Sequence, residues 1–93
     1  MGEQYIHHPN FGLLYVVCPT LDVHKSLFTT LYAHRLFFVV TEKPSEPVTY
    51  EPVSRAQARQ FVEERLKLLR RLRDPGVEEE LKRTELFYKQ TFL

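Results

Sequence analysis

Two histidines stand in succession at His7 and His8, followed by Pro9. Imidazole is a common metal ligand. However, neighbouring side chains of an extended segment point to opposite sides, and no partner ligands follow at zinc-like spacing. The pair reads as a mobile N-terminal pair or a turn specific to the fold, and no metal site is expected. Cys18 has Val16 and Val17 beside it. With no base placed near it, its reading is a small buried hydrophobe and not a nucleophile. The glycines are Gly2, Gly12 and Gly76, and none belongs to a phosphate-cradling loop. These residues supply no catalytic constellation and no cofactor site.

A different chemistry is legible in Ser26 to Val40, SLFTTLYAHRLFFVV. This apolar run carries Tyr32, His34 and Arg35 in its middle. Eight of the chain's twelve Phe and Tyr lie before Ser54, more than a small barrel can turn inward. Tyr15 and Phe28 are expected in the core. An outward subset beside Arg35 would form a protein-binding surface, since interface hot spots are enriched in Tyr and Arg. The run RLKLLRRLRD, Arg65 to Asp74, offers a second chemistry, because basic clusters bind phosphate backbones. Leucines interrupt it, and glutamates lie on both sides. It reads first as a solvated helical face. A small nucleic-acid-binding module is the alternative function.

The elements that must carry these residues divide the chain in two. Five of the six prolines and most β-branched and aromatic residues lie before Ser54; Glu, Arg, Lys and Leu dominate after it. Residues 1–53 hold three basic and five acidic residues, so the strand-like half is acidic and the remainder basic. Gly12 to Cys18 is a compact apolar strand. Pro19 to Asp22 and Thr41 to Pro47 are loops. Val48 to Pro52 is an edge strand, because proline cannot donate to a central ladder. Eight of the 15 residues in the opening run favour strands, and one strand of that length would be unusual. A turn near Ala33-His34-Arg35 therefore gives strands at about 27–33 and 36–41. The strands form a meander, which closure into a small barrel would free of exposed edges.

Ser54 and Gln57 fit a capping box. Beyond them Ala58, Phe61, Val62, Leu66, Leu69 and Leu72 follow helical spacing, widened by Leu68. Asp74-Pro75-Gly76 should end this helix and start another, with Asp74 as its cap and Val77, Leu81, Tyr88 and Phe92 on one face. So short a link predicts an antiparallel helical hairpin. The fold class is α+β, with a small antiparallel β-barrel over 1–53 and a C-terminal two-helix hairpin over 54–93. One domain of 93 residues has one cysteine and hence no internal disulfide, which fits a reducing compartment. No signal peptide is read at the N-terminus, and the run Leu36 to Val40 is too short to cross a bilayer. The expectation is a cytoplasmic protein with no membrane contact.

Several segments together resemble one family. HPNFGLLY (His8 to Tyr15), LFTTLYAHRLFF (Leu27 to Phe38), EPVSRAQAR (Glu51 to Arg59), ERLKLLRR (Glu64 to Arg71) and YKQTFL (Tyr88 to Leu93) are similar, in the same order, to the cyanobacterial PipX family of PII-interacting proteins. The resemblance implies a Tudor-like barrel followed by two helices, and a non-enzymatic regulator with two exclusive partners. One partner is PII, the trimeric sensor, which would hold the chain through its T-loops when ADP-bound and 2-oxoglutarate is low. The other is NtcA, a dimeric transcription activator, which the chain would co-activate when 2-oxoglutarate is high. A GntR-type regulator would be reached through PII, and no direct specific DNA binding is expected. The resemblance puts the key interface tyrosine on Tyr32 and the arginine on Arg35, flanked by Leu36 and Phe38. Glu3 and Phe11 join them from the N-terminal side. His34 stands where the family has glutamine, which would make binding pH-sensitive. Arg59, Arg65 and Leu66 match helix-side contacts.

Overall fold

The computed structural model describes residues 5–31, 36–72 and 74–93. Five strands, β1 (Tyr5–His8), β2 (Gly12–Pro19), β3 (Lys25–Thr30), β4 (Phe37–Thr41) and β5 (Thr49–Val53), precede helices α1 (Arg55–Leu72) and α2 (Glu78–Phe92). Each strand pairs antiparallel with the next, in the order β1-β2-β3-β4-β5. The expected meander is therefore present, and it curls into a half-barrel. No ladder joins β5 to β1 among the described residues. Side chains span that opening instead: His8 of β1 meets Tyr50 of β5 edge-on at 4.7 Å.

Both faces of the sheet are covered. Leu14, Phe28, Phe38 and Val40 fill the inside of the curl, with Ile6, Val16 and Tyr50 against them. Cys18, Leu27 and Phe37 face the helices and pack on Ala58, Val62, Leu66 and Phe92. A strand buried on both faces carries no polar alternation, which is why Phe37 to Val40 are all buried. A bulge interrupts β2. Val16 pairs with Phe28 but Cys18 with Leu27, so Val17 is the extra residue. It lets Val17 and Cys18 both join the helix-side cluster.

Several boundaries differ from those predicted: β2 extends to Pro19, and β5 spans Thr49–Val53 where Val48–Pro52 is expected. The strand expected at 27–33 runs from Lys25 to Thr30, and the next begins at Phe37. The turn expected at Ala33-His34-Arg35 lies outside the described residues. Tyr5–His8 forms an unpredicted strand, since four residues beside a proline give too short a pattern to read. Its turn to β2 occupies residues 9–11, with His8 opposite Gly12. Gly12 closes the turn at φ 74°, a left-handed conformation that glycine adopts without steric cost. Pro52 sits in β5 as expected, at the sheet edge where its missing N–H does no harm.

The capping box at α1 is present in both directions. The Gln57 side chain accepts from Ser54 N–H at 2.8 Å, and Ser54 Oγ accepts from Gln57 N–H at 3.1 Å. Ala58, Val62, Leu66 and Leu69 are buried, while Leu72 is exposed. Asp74 caps a 3-10 turn, Pro75–Val77, by accepting from Gly76 N–H at 2.9 Å; α2 itself starts only at Glu78. Pairs of residues fix the helices antiparallel. Arg55 donates to the Thr91 carbonyl and lies over the Phe92 ring, Arg59 meets Tyr88, and Arg65 meets Glu80. Each buried Leu, Val or Phe in these clusters contributes about 1.5–3 kcal/mol.

Candidate functional site

In an antiparallel meander alternate connections lie at one end. The β1–β2 turn and the β3–β4 connection share that end, which forms a rim. Main-chain bonds clamp the connection where it leaves the sheet. Leu31 N–H donates to the Leu13 carbonyl at 3.1 Å, continuing the β2–β3 ladder. Leu36 carbonyl accepts from Thr30 N–H at 3.2 Å and from the buried Thr29 hydroxyl at 2.9 Å. Phe11, Leu13 and Leu36 are exposed at this rim. Single exposed apolar residues are ordinary; their grouping around one connection is what marks the rim.

Beneath the rim lies an aromatic cluster. Phe11 is 47% exposed, but its ring rests 5.5 Å from Phe38, which is 3% exposed. His8 lies against both, at 5.0 Å from Phe11 and stacked at 5.5 Å on Phe38. Asn10 N–H and Phe11 N–H donate to His8 Nδ1 at 3.0 and 3.3 Å. Phe11 thus sits on a support reaching from the turn through β4 to β5. Rigid aromatic area backed by packed side chains is what an interface anchor requires.

Among the residues expected to bind partners, the structure brings Phe11 and Phe38 into contact and puts Leu36 at the adjoining strand end. Glu3, Tyr32, His34 and Arg35 lie outside the described residues. His8 and Tyr50 belong to the same cluster and were not singled out for this role from the sequence. The signal for His8 was present in His-Pro-Asn, a turn-forming run in which proline leaves the following two N–H groups for the imidazole. Tyr50 meets the cluster only through the curl of the sheet.

The helix-side candidates have other partners. Arg59 donates to the Tyr88 oxygen at 3.1 Å and to Glu63 at 3.3 Å, with its guanidinium over the Tyr88 ring. The Tyr88 hydroxyl donates to Glu63 at 2.6 Å. That phenol, then Arg59, holds the Glu63 carboxyl below the usual carboxylate range. The hydrogen bonds to Tyr88 and Glu63 raise Arg59. Arg65 grips Glu80 through two bonds at 2.7 and 3.0 Å, and Leu66 is buried in the helix-side cluster. Burial pushes the Cys18 thiol up to about 12, against the pull of nearby Arg65. Among the described residues no group of three or more His, Cys, Asp or Glu gathers as metal ligands. No helix is long and apolar enough to cross a membrane among those residues.

No curated protein matches the sequence. A family model does: that of PipX, the PII-interacting protein X, over residues 2–92. The match spans nearly the whole chain, the half-barrel and both helices alike, and the chain belongs to the PipX family of PII-interacting regulatory proteins.

Proposed function

We propose that this chain is a non-enzymatic cytoplasmic adaptor of cyanobacterial nitrogen regulation. PII sequesters it when ADP-bound and short of 2-oxoglutarate. When 2-oxoglutarate and ATP are high it is released, binds NtcA and favours the active state of that activator. A GntR-type regulator is reached through the PII complex. The observation that carries this reading is the family match over residues 2–92. The rim supports it with an exposed Phe11 braced on a buried Phe38.

Both partners would use one surface: Tyr32, His34, Arg35 and Leu36 with Phe11 and Glu3, and Phe38 supporting from below. Competition for one face makes binding exclusive, so the chain reports how much PII is in its releasing state. Co-activation is then a population shift, requiring tighter binding to the active form of NtcA. By linkage, 2-oxoglutarate on NtcA strengthens its hold on the chain by the same factor. In this reading residues 1–53 carry the partner surface and 54–93 the hairpin behind it. On the helix side Arg59 remains exposed for a partner, while Arg65 and Leu66 act through Glu80 and the core.

The test is a pull-down of PII with the chain, in ADP and then in ATP plus 2-oxoglutarate. Capture in ADP and release in the second condition is the expected result. Tyr32→Ala should weaken binding to PII and to NtcA while the fold survives; retained affinity for both would sink the shared surface. Binding to RNA or DNA that falls steeply with salt, without capture of PII, would favour the nucleic-acid module instead.

A further inference from the structure

The His8 ring holds the β1–β2 turn in a way that depends on its protonation. Two backbone N–H groups, from Asn10 and Phe11, converge on Nδ1. A ring nitrogen accepts only through a free lone pair, so the imidazole is neutral with its proton on Nε2. Pro9 has no N–H to offer, and Gly12 turns the chain back into β2 at positive φ. The half-buried imidazole therefore closes a turn whose last residue is Phe11.

We propose that His8 is the positioning residue of the partner-binding rim: its neutral ring holds Phe11 in place, and a proton on Nδ1 releases it. The proposal rests on the reading of Phe11 as a partner contact. Imidazole ordinarily takes up its proton between pH 5 and 8. Protonation turns Nδ1 from acceptor to donor and breaks both bonds at once. The groups facing the ring are Phe11 from the turn, Phe38 from β4 and Tyr50 from β5. Tyr50 carries the one ionisable side chain among these three. His7 points to the other face of β1. No carboxylate stands within ion-pair distance of His8 among the described residues. The aromatic faces tolerate the imidazolium, so the ring stays in place while the turn is freed.

The test uses the full chain carrying His34→Gln, so that His34 does not titrate, with PII and ADP across this pH range. In that background, affinity should fall about tenfold from the alkaline to the acid end, the value of losing a net hydrogen bond or two. His8→Ala should bind about tenfold more weakly at the alkaline end. His8→Asn, whose side-chain oxygen can accept the same N–H groups, should restore binding and flatten the pH profile. Nitrogen-15 NMR of the imidazole should show a bare Nδ1 and a protonated Nε2 at the alkaline end. A protonated Nδ1 there, or a full pH dependence kept by His8→Asn, would overturn the proposal. If the chain binds no PII at any pH, it is the partner reading that fails. The tautomer, with the amide exchange of Asn10 and Phe11 in His8→Ala, then decides whether His8 latches the turn.

Discussion

The rings of Phe11 and Phe38 touch at 5.5 Å across the boundary between surface and core. Their truncations should separate binding from folding. Phe11→Ala removes exposed area and is expected to cost at most about 1 kcal/mol of stability, while weakening PII binding about tenfold or more. Phe38→Ala empties a buried site and should cost about 3–5 kcal/mol. Thermal melts run beside PII titrations would check this. Equal loss of stability in the two variants would show that Phe11 is a core residue.

Glu63 links stability to acid. Its carboxyl is held low in the folded chain, first by the Tyr88 hydroxyl and then by Arg59. A depressed carboxyl contributes stability above the ordinary carboxylate range and loses it as pH falls through the lowered folded value. Unfolding free energy measured from pH 7 to 3 should therefore decline less steeply in Glu63→Gln than in the unaltered chain. Identical acid limbs would remove Glu63 from the account.

Cys18 should be silent in the folded protein. With the thiol pushed up to about 12 by burial, almost no thiolate exists at pH 8, and the sulfur is covered. Ellman's reagent is expected to react only as the chain unfolds, at a rate that rises with urea. Because the thiol ionises from 9.0 in the unfolded chain and near 12 in the folded one, its contribution is full below pH 9 and is lost as pH rises toward 12. Fast, urea-independent labelling would contradict this burial.

Two inter-helix ion pairs among the described residues should differ in worth. Arg65 and Glu80 are mostly covered and doubly bonded, so Glu80→Ala should cost about 1.5–3 kcal/mol. Arg70 and Glu85 meet at 3.1 Å in the open, and Glu85→Ala should cost less than about 1 kcal/mol. Urea titration of both variants checks the order; a larger loss at Glu85 would reverse the assignment.

Features set by neighbours in the chain were legible in the sequence. Ser54 and Gln57 cap one another across three residues, and Asp74-Pro75-Gly76 breaks the helices by local chemistry alone. The α1 stripe from Ala58 to Leu69 was legible for the same reason, because 3–4 spacing is a local pattern. Features set by the curl were not. Phe37 to Val40 show no alternation, so nothing in the order of residues tells which of Phe37 and Phe38 faces the helices and which the inside. The His8–Tyr50 contact joins the first strand to the fifth and has no local signature. The candidate site is split likewise: residue types within the apolar run point to Tyr32 and Arg35, the family resemblance adds Glu3, His34, Phe11 and Phe38, and the contact of Phe11 with Phe38 emerges only in the fold.

Phe92 stacks on Phe37 at 5.7 Å and completes the cluster that covers the helix side of the sheet. Synthesis runs from the sheet toward α2, so every nascent chain passes through a stage in which Leu27, Phe37 and Val53 are made and their cover is not. During that stage the sheet edges at β1 and β5, which no ladder joins among the described residues, border an apolar face, the combination that invites association between chains. The order in which this polypeptide is translated thus makes α2 its own late-arriving chaperone.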